Sequence, residues 1–160
     1  MTLTELNRLP ETRAQYELLR CCASHRWSHL MATERPFANV DVLAAAAQRL
    51  WWSLAVADWL EAFAAHPRIG ERGTSAWSAQ EQGRAAETTD DLRARLVAGN
   101  RTYEDRFGYT FIVCATGKTA EEILDILERR LQNEPGDELQ IAADEQRKIT
   151  ALRLEKLITP

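Results

Sequence analysis

The sequence predicts an all-α fold in a single domain, on three observations. Apolar residues recur at spacings of three and four nearly throughout, which is the period of a helix and not of a strand. Glycine and proline number only seven and five in 160 residues, so breakers fall between the periodic stretches and not within them. One run alone, Tyr109 to Ala115, is strand-like, and a lone strand cannot form a sheet. A chain of this length suits one core of ordinary size, and no internal repeat, low-complexity tract or linker divides it. Residues 1–160 are therefore expected to fold as one multi-helix domain with an extended core segment near 109–115.

The elements follow in order. A short helix near Thr4–Arg8 ends at Pro10, which also suits the start of the next, from Glu11 to about Cys22 with Tyr16 and Leu19 on one side. Ser24 to Met31 reads as a short helix or turn, closed by Arg35-Pro36. Asp41 is a good N-cap for Val42–Ala55, whose alanine run and Trp51-Trp52 pair predict a buried face. Asp58 begins a helix to Ala65 with Leu60 and Phe63 facing in, and Ser78 begins another to about Glu87. Asp90–Arg106 carries Leu92, Leu96 and Tyr103 on one face and stops at Gly108. Thr119, with Glu122 as capping-box partner, opens a helix to Asn133; after a turn, the last runs from about Asp137 to Leu157.

Composition excludes several classes. A hydrophobic fraction of 45% with 28% charged residues is that of a soluble globular protein. A net charge of −4 argues against a nucleic-acid binder built on a broad basic face. No apolar run approaches the roughly 20 residues that span a bilayer. The N-terminus lacks the basic and apolar regions of a secretion signal, and the C-terminal Ile158-Thr159-Pro160 carries no recognisable address. Cys21, Cys22 and Cys114 do not form a disulfide framework and read as small buried hydrophobes, so a reduced, cytoplasmic protein is expected.

The chemistry-bearing stretch is His66 to Gln82. A helical pattern stops at His66, and Pro67 bars its continuation. Gly70 and Gly73 then let the chain turn before a helix starts at Ser78, with Glu81 three residues on. His66 suits a general acid or base; it equally suits a helix C-terminus, where the dipole favours imidazolium. Ser78 and Glu81 have the spacing of a capping box, which is compatible with a site role because a cap also orients its members. Gln82 offers amide donors and acceptors on the same turn. Arg153 falls inside the apolar stripe of Ala142, Ile149 and Leu152, so it needs either a buried carboxylate or an anionic, carbonyl-rich ligand. His25 and His29 stand four apart, as metal ligands on one helix face would, but no third ligand is spaced convincingly nearby, and no metal is expected.

Taken together, certain pieces resemble the 2-oxo-4-hydroxy-4-carboxy-5-ureidoimidazoline (OHCU) decarboxylases of urate breakdown. They are Arg26-Trp27, Arg35-Pro36-Phe37, and Asp58-Trp59-Leu60-Glu61-Ala62-Phe63 leading into His66-Pro67-Arg68-Ile69-Gly70. Trp77-Ser78-Ala79-Gln80-Glu81-Gln82 and Asn100-x-x-Tyr103-x-x-Arg106-Phe107-Gly108 follow. Phe111-Ile112-Val113-Cys114-Ala115 and Arg129-Arg130-x-x-Asn133-Glu134 complete the set. Each piece is weak alone, but the order and spacing cover nearly the whole chain. Thr110 departs from the proline common in the family, a loop change that should leave the chemistry alone. The resemblance implies an all-helical, cofactor-independent homodimer that acts on a small, unstable, carboxylated ureido-imidazoline, binding neither nucleic acid nor membrane, and yields (S)-allantoin and carbon dioxide. It also implies that His66 is catalytic and that Glu81 falls on a substrate-contacting position, where its carboxylate suits catalysis beside His66. Pro67, Ser78 and Gln82 then contact substrate, as do the backbone of Phe111, Ile112, Val113, Cys114 and Ala115, and Arg153. Two other classes fit fewer features. A non-catalytic helical interaction module leaves Arg153 and the His-Pro loop unaccounted for, and a metal-dependent hydrolase built on His25 and His29 requires bound metal.

Overall fold

Nearly every helix start for which a cap is seen has a small polar side chain that takes a free backbone N–H. The structure, a computed structural model, describes residues 1–70 and 89–159. Among the described residues there are eight helices and no strand: α1 (Leu3–Arg8), α2 (Glu11–Leu19), α3 (His25–Glu34), α4 (Val40–Trp52), α5 (Val56–Ala64), α6 (Asp90–Phe107), α7 (Ala120–Arg130) and α8 (Pro135–Leu157). The chain divides into two compact units, Met1–Ala62 with Arg147–Pro160, and Phe63–Gln146.

In the first unit, Thr2 and Glu5 cap α1 reciprocally, and Ser24 accepts the Trp27 N–H to start α3. Leu6, Leu18, Trp27, Met31 and Leu43 are buried there, and the Trp27 indole N–H donates to the Ala47 carbonyl at 3.0 Å. Three expectations shift. Tyr16 is exposed, because Ala14 and Leu18, one helical turn apart, set the inward face of α2 and put Tyr16 on the opposite side. Its ring is covered instead by the Arg13 guanidinium, 5.2 Å from the centroid. Asn39, not Asp41, caps α4 by accepting the Val42 N–H at 2.9 Å; Asp41 lies in the first turn, where a negative charge suits the dipole. α5 starts two residues before Asp58, and its inward face holds Trp59, whose indole N–H donates to the Trp51 carbonyl at 3.0 Å, while Leu60 is exposed.

In the second unit, Thr89 accepts the Leu92 N–H at 3.2 Å to open α6. Gly108 ends that helix at φ +86°, a left-handed turn that a side chain would strain. Leu92, Leu96 and Tyr103 of α6 pack with Ile123, Leu124 and Leu127 of α7 in one cluster, joined by Phe111, Val113 and Ala115 of the extended segment. Thr119 accepts the Glu122 N–H, while the Glu122 carboxylate takes the Thr119 hydroxyl at 3.1 Å. Pro135 is the first residue of α8, a position where a missing N–H costs nothing, so this helix starts two residues ahead of the expected Asp137. Phe111 to Ala115 are all buried without strand pairing, as an extended core segment should be.

Candidate active site

The histidine that closes α5 is held at two points. Its backbone N–H donates to the Phe63 carbonyl at 3.1 Å, finishing the last turn before Pro67. Its ring is half-buried, with Nε2 2.5 Å from Oε1 of Gln146, a side chain with no exposed surface on α8. An amide buried this completely needs a hydrogen-bond partner, and the ring supplies one.

The loop beyond His66 is anchored in sequence order. Pro67 is half-buried and Ile69 enters the hydrophobic cluster. Arg68 donates from Nε to Glu104 at 2.9 Å, and that bond holds the Glu104 carboxyl below the usual range. Gly70 sits at φ +88°, and a Cβ there would also press on Val97 at 3.4 Å. Ser78, Glu81 and Gln82 lie outside the described residues.

The extended segment is fixed by side chains and not by a sheet ladder. Asn100, itself buried, accepts the Phe111 N–H at 2.9 Å and the Thr110 hydroxyl at 3.2 Å through one oxygen, and donates to Glu104 at 3.2 Å. Thr110 thus uses a hydroxyl that proline lacks. Arg68, Glu104 and Asn100 form a chain of hydrogen bonds from the histidine loop to the start of the segment. Further along, Arg130 donates to the Ile112 carbonyl at 2.6 Å. Glu145 accepts the Cys114 N–H at 3.3 Å, and Lys118 donates to the Cys114 carbonyl at 2.9 Å.

Arg130 is itself buried among Glu138, Tyr103 and the face of Phe111, whose ring centroid is 4.5 Å from the guanidinium carbon. Burial works against its charge, but the bonds from Glu138 outweigh that and raise its pKa. The Tyr103 hydroxyl donates to Glu138, and burial, reinforced by that bond, pushes its proton affinity up. Arg130 and Tyr103 therefore keep their protons at any physiological pH, and the cluster acts as scaffold.

Arg153 belongs to the other unit, where it is half-buried. Its charge acts on the buried thiols of Cys21 and Cys22, which burial nonetheless pushes up to about 12. His25 and His29 are exposed on α3 and turn to different carboxylates, Glu61 at 3.2 Å and Glu11 at 3.8 Å. Among the described residues no three histidine, cysteine or acidic side chains gather as a metal set would.

Sequence reasoning gave no role to Asn100, Arg130, Glu145 or Gln146. Asn100 and Arg130 stand inside quoted motifs, but as motif letters. Gln146 and Glu145 were findable: four and three residues after Ala142, they share the stripe that singled out Arg153.

The family model for OHCU decarboxylase matches residues 7–155. The chain belongs to the OHCU decarboxylase family. It is 36% identical over 131 residues to the 2-oxo-4-hydroxy-4-carboxy-5-ureidoimidazoline decarboxylase of Amia calva, covering 78% of this chain and 75% of that protein. It is 38% identical over 148 residues to the uric acid degradation bifunctional protein TTL of Arabidopsis thaliana. That match takes in 87% of this chain but only 45% of the relative, so this chain spans less than half of the bifunctional protein. A solved structure described as OHCU decarboxylase in the presence of (S)-allantoin superposes with a TM-score of 0.83 at 39% identity, covering 90% of this chain and 98% of that one. The family match runs through both compact units. Among the described residues no helix is long and apolar enough to cross a membrane.

Proposed function

We propose that this OHCU decarboxylase uses His66 and Glu81 to convert 2-oxo-4-hydroxy-4-carboxy-5-ureidoimidazoline to (S)-allantoin and carbon dioxide. The observation that carries the site assignment is the pairing of Glu145 and Gln146. Two consecutive residues of α8 hold, respectively, the backbone of Cys114 and the ring of His66. One turn of helix thereby ties the proton-carrying side chain to the extended segment that the family uses as a binding wall.

The reaction needs proton management more than an electron sink. The bond from C4 to the carboxylate breaks, and its electron pair forms a C4–C5 double bond as the C5–N1 imine pair moves to nitrogen, which takes a proton. Because the substrate's own imine accepts the electrons, no pyridoxal or thiamine is required, and the reading is cofactor-independent. Protonation at C5 with loss of the 4-hydroxyl proton then gives the hydantoin ring. His66 delivers the C5 proton to one face, which sets the S configuration, and Glu81 holds the 4-hydroxyl and takes its proton. Arg153 offers a guanidinium fork to the carboxylate or ring oxygens. Pro67 lines the approach, and Ser78 and Gln82 bond the ureido and ring groups. The N–H groups of Phe111 and Cys114 already serve Asn100 and Glu145. Among Phe111 to Ala115, substrate bonds therefore fall to the N–H groups of Ile112, Val113 and Ala115. We place the working enzyme in the cytoplasm as a homodimer of one functional domain per chain.

The test generates the substrate in situ from urate with urate oxidase and hydroxyisourate hydrolase, adds this protein, and follows optical activity. Rapid appearance of the (S)-allantoin signal is expected. A rate and chirality no different from spontaneous decay would refute the reading.

A further inference from the structure

We infer that Asn100 is a positioning residue that joins the histidine loop to the extended segment, setting the distance between the proton-carrying ring and the binding wall. The inference rests on the reading that His66 moves a proton and that Phe111 to Ala115 bind substrate. Asn100, only 1% exposed, reaches both parts from the middle of α6. Its Oδ1 accepts the Phe111 N–H at 2.9 Å, where the segment begins. Its Nδ2 donates at 3.2 Å to Oε1 of Glu104, and the same Oε1 accepts from Nε of Arg68 at 2.9 Å. Arg68 follows His66 with Pro67 alone between them. The ring of Pro67 fixes its own φ, so a tether on Arg68 is felt at His66.

The polarity of these bonds leaves the amide one way round. A backbone N–H only donates, so Phe111 faces Oδ1. The Glu104 carboxyl is held below the usual range, first by Arg68 and further by Thr110 and Asn100, so it is ionised at neutral pH and only accepts. Nδ2 must therefore face it. The platform beneath is rigid. Asn100 and Glu104 stand one turn apart on the same face of α6. Beside Asn100, a Cβ at Gly99 would come within 2.6 Å of a Leu127 methyl group, so α6 and α7 meet there at close approach. From α7, Arg130 holds the carbonyl of Ile112, the next residue of the segment. The start of the segment is thus fixed to both helices, and Asn100 carries that position across to the tether of the histidine loop.

The test cuts the link without touching the segment. Glu104→Leu removes the shared acceptor and leaves the Asn100 oxygen on Phe111; the Glu104 side chain is 25% exposed, so the variant should fold. In the coupled urate assay, with the uncatalysed rate subtracted and enzyme counted as folded protein, kcat should fall roughly 10- to 100-fold while KM stays within about threefold, because a small misplacement of reacting groups costs rate. Glu104→Gln still offers one oxygen to both Arg68 and Asn100 and should retain most of kcat. A residue that only packs would move the melting temperature and not this split. Asn100→Ala releases the segment as well and should be slower than Glu104→Leu. Combined with Glu104→Leu it should be no slower than alone, because the bond between the two is already gone. Glu104→Leu with wild-type kcat overturns the inference, as does Glu104→Gln as slow as Glu104→Leu, or losses that multiply in the double variant. Should Asn100→Ala not fold, the two Glu104 variants decide. Failure of the underlying reading shows separately, as a His66→Asn enzyme that keeps its activity.

Discussion

Arg130 and Glu138 form a buried ion pair, Nη2 to Oε2 at 2.7 Å, and the same guanidinium holds the carbonyl of Ile112. The pair is thus continuous with the segment proposed to line the active site. Its side chains are 7% and 0% exposed, so neither charge can turn to water if its partner is lost.

Removing one partner should therefore cost far more than removing both. Arg130→Met leaves the Glu138 carboxylate buried beside Tyr103 and releases Ile112, and a loss of about 3–5 kcal/mol is expected. Arg130→Met combined with Glu138→Leu should recover much of that loss, because no uncompensated charge remains. Urea denaturation reads both. A double variant as unstable as the single one would show that geometry at Ile112, and not the buried charge, dominates.

Cys21 and Cys22 predict an alkaline limit to stability. Each has its pKa raised from 9.0 to about 12 in the folded chain, mainly by burial, although Arg153 acts in the opposite direction. Above pH 9 the unfolded chain loses these protons while the folded chain keeps them, so the folded state binds more protons and stability falls as pH rises. The loss should run from about pH 9 to about pH 12, at about 1.4 kcal/mol per pH unit for each thiol. The variant with both Cys21→Ala and Cys22→Ala should show a shallower decline of melting temperature over that window. An unchanged slope would place the alkaline sensitivity elsewhere.

The parts of this fold legible in the sequence are those decided by local chemistry. Thr119 and Gly108 mark helix ends because a cap needs only the next turn and a left-handed glycine only its own backbone. The burial of Phe111 to Ala115 follows from an apolar run with no partner strand. Tyr16 and Leu60 fall on the other side because the apolar spacing of a short helix fits more than one inward face, and packing chooses the one that holds Ala14 and Leu18 in α2 and Trp59 in α5. Gln146 stayed silent for another reason. Its spacing puts it on the inward stripe of the last helix, but its value comes from His66, 80 residues away in the chain, and no local pattern names that partner. Of the proposed site, the sequence marks the histidine loop and the segment as motifs and Arg153 by its place in an apolar stripe; the side chains that hold the loop and segment in place required coordinates.

Arg153 should tell substrate binding from packing. Its proposed role depends on a planar fork that bonds two oxygens at once, which an ammonium cannot reproduce. Arg153→Lys keeps a positive charge beside Cys21 and Cys22 and should fold. A raised KM with a melting temperature close to wild type is the expected outcome in the coupled urate assay. An unchanged KM would assign the residue to structure.

His66 and Glu81 should behave as one unit. Decarboxylation leaves a carbon that must be protonated on one face and a hydroxyl that must lose its proton, and these two events complete the same product. His66→Asn keeps an acceptor and a donor near Gln146 but cannot transfer a proton, so turnover should fall by roughly 100- to 10,000-fold while the fold persists. Glu81→Gln removes the base for the hydroxyl and should be severely impaired. If both serve one step, the second substitution has little left to remove, and the double variant should be about as slow as the worse single one. Losses that multiply would mean separate steps, with Glu81 acting in binding and His66 in chemistry. The chirality of the residual product separates these cases again: without His66, whatever allantoin forms is protonated from water on either face and should be racemic.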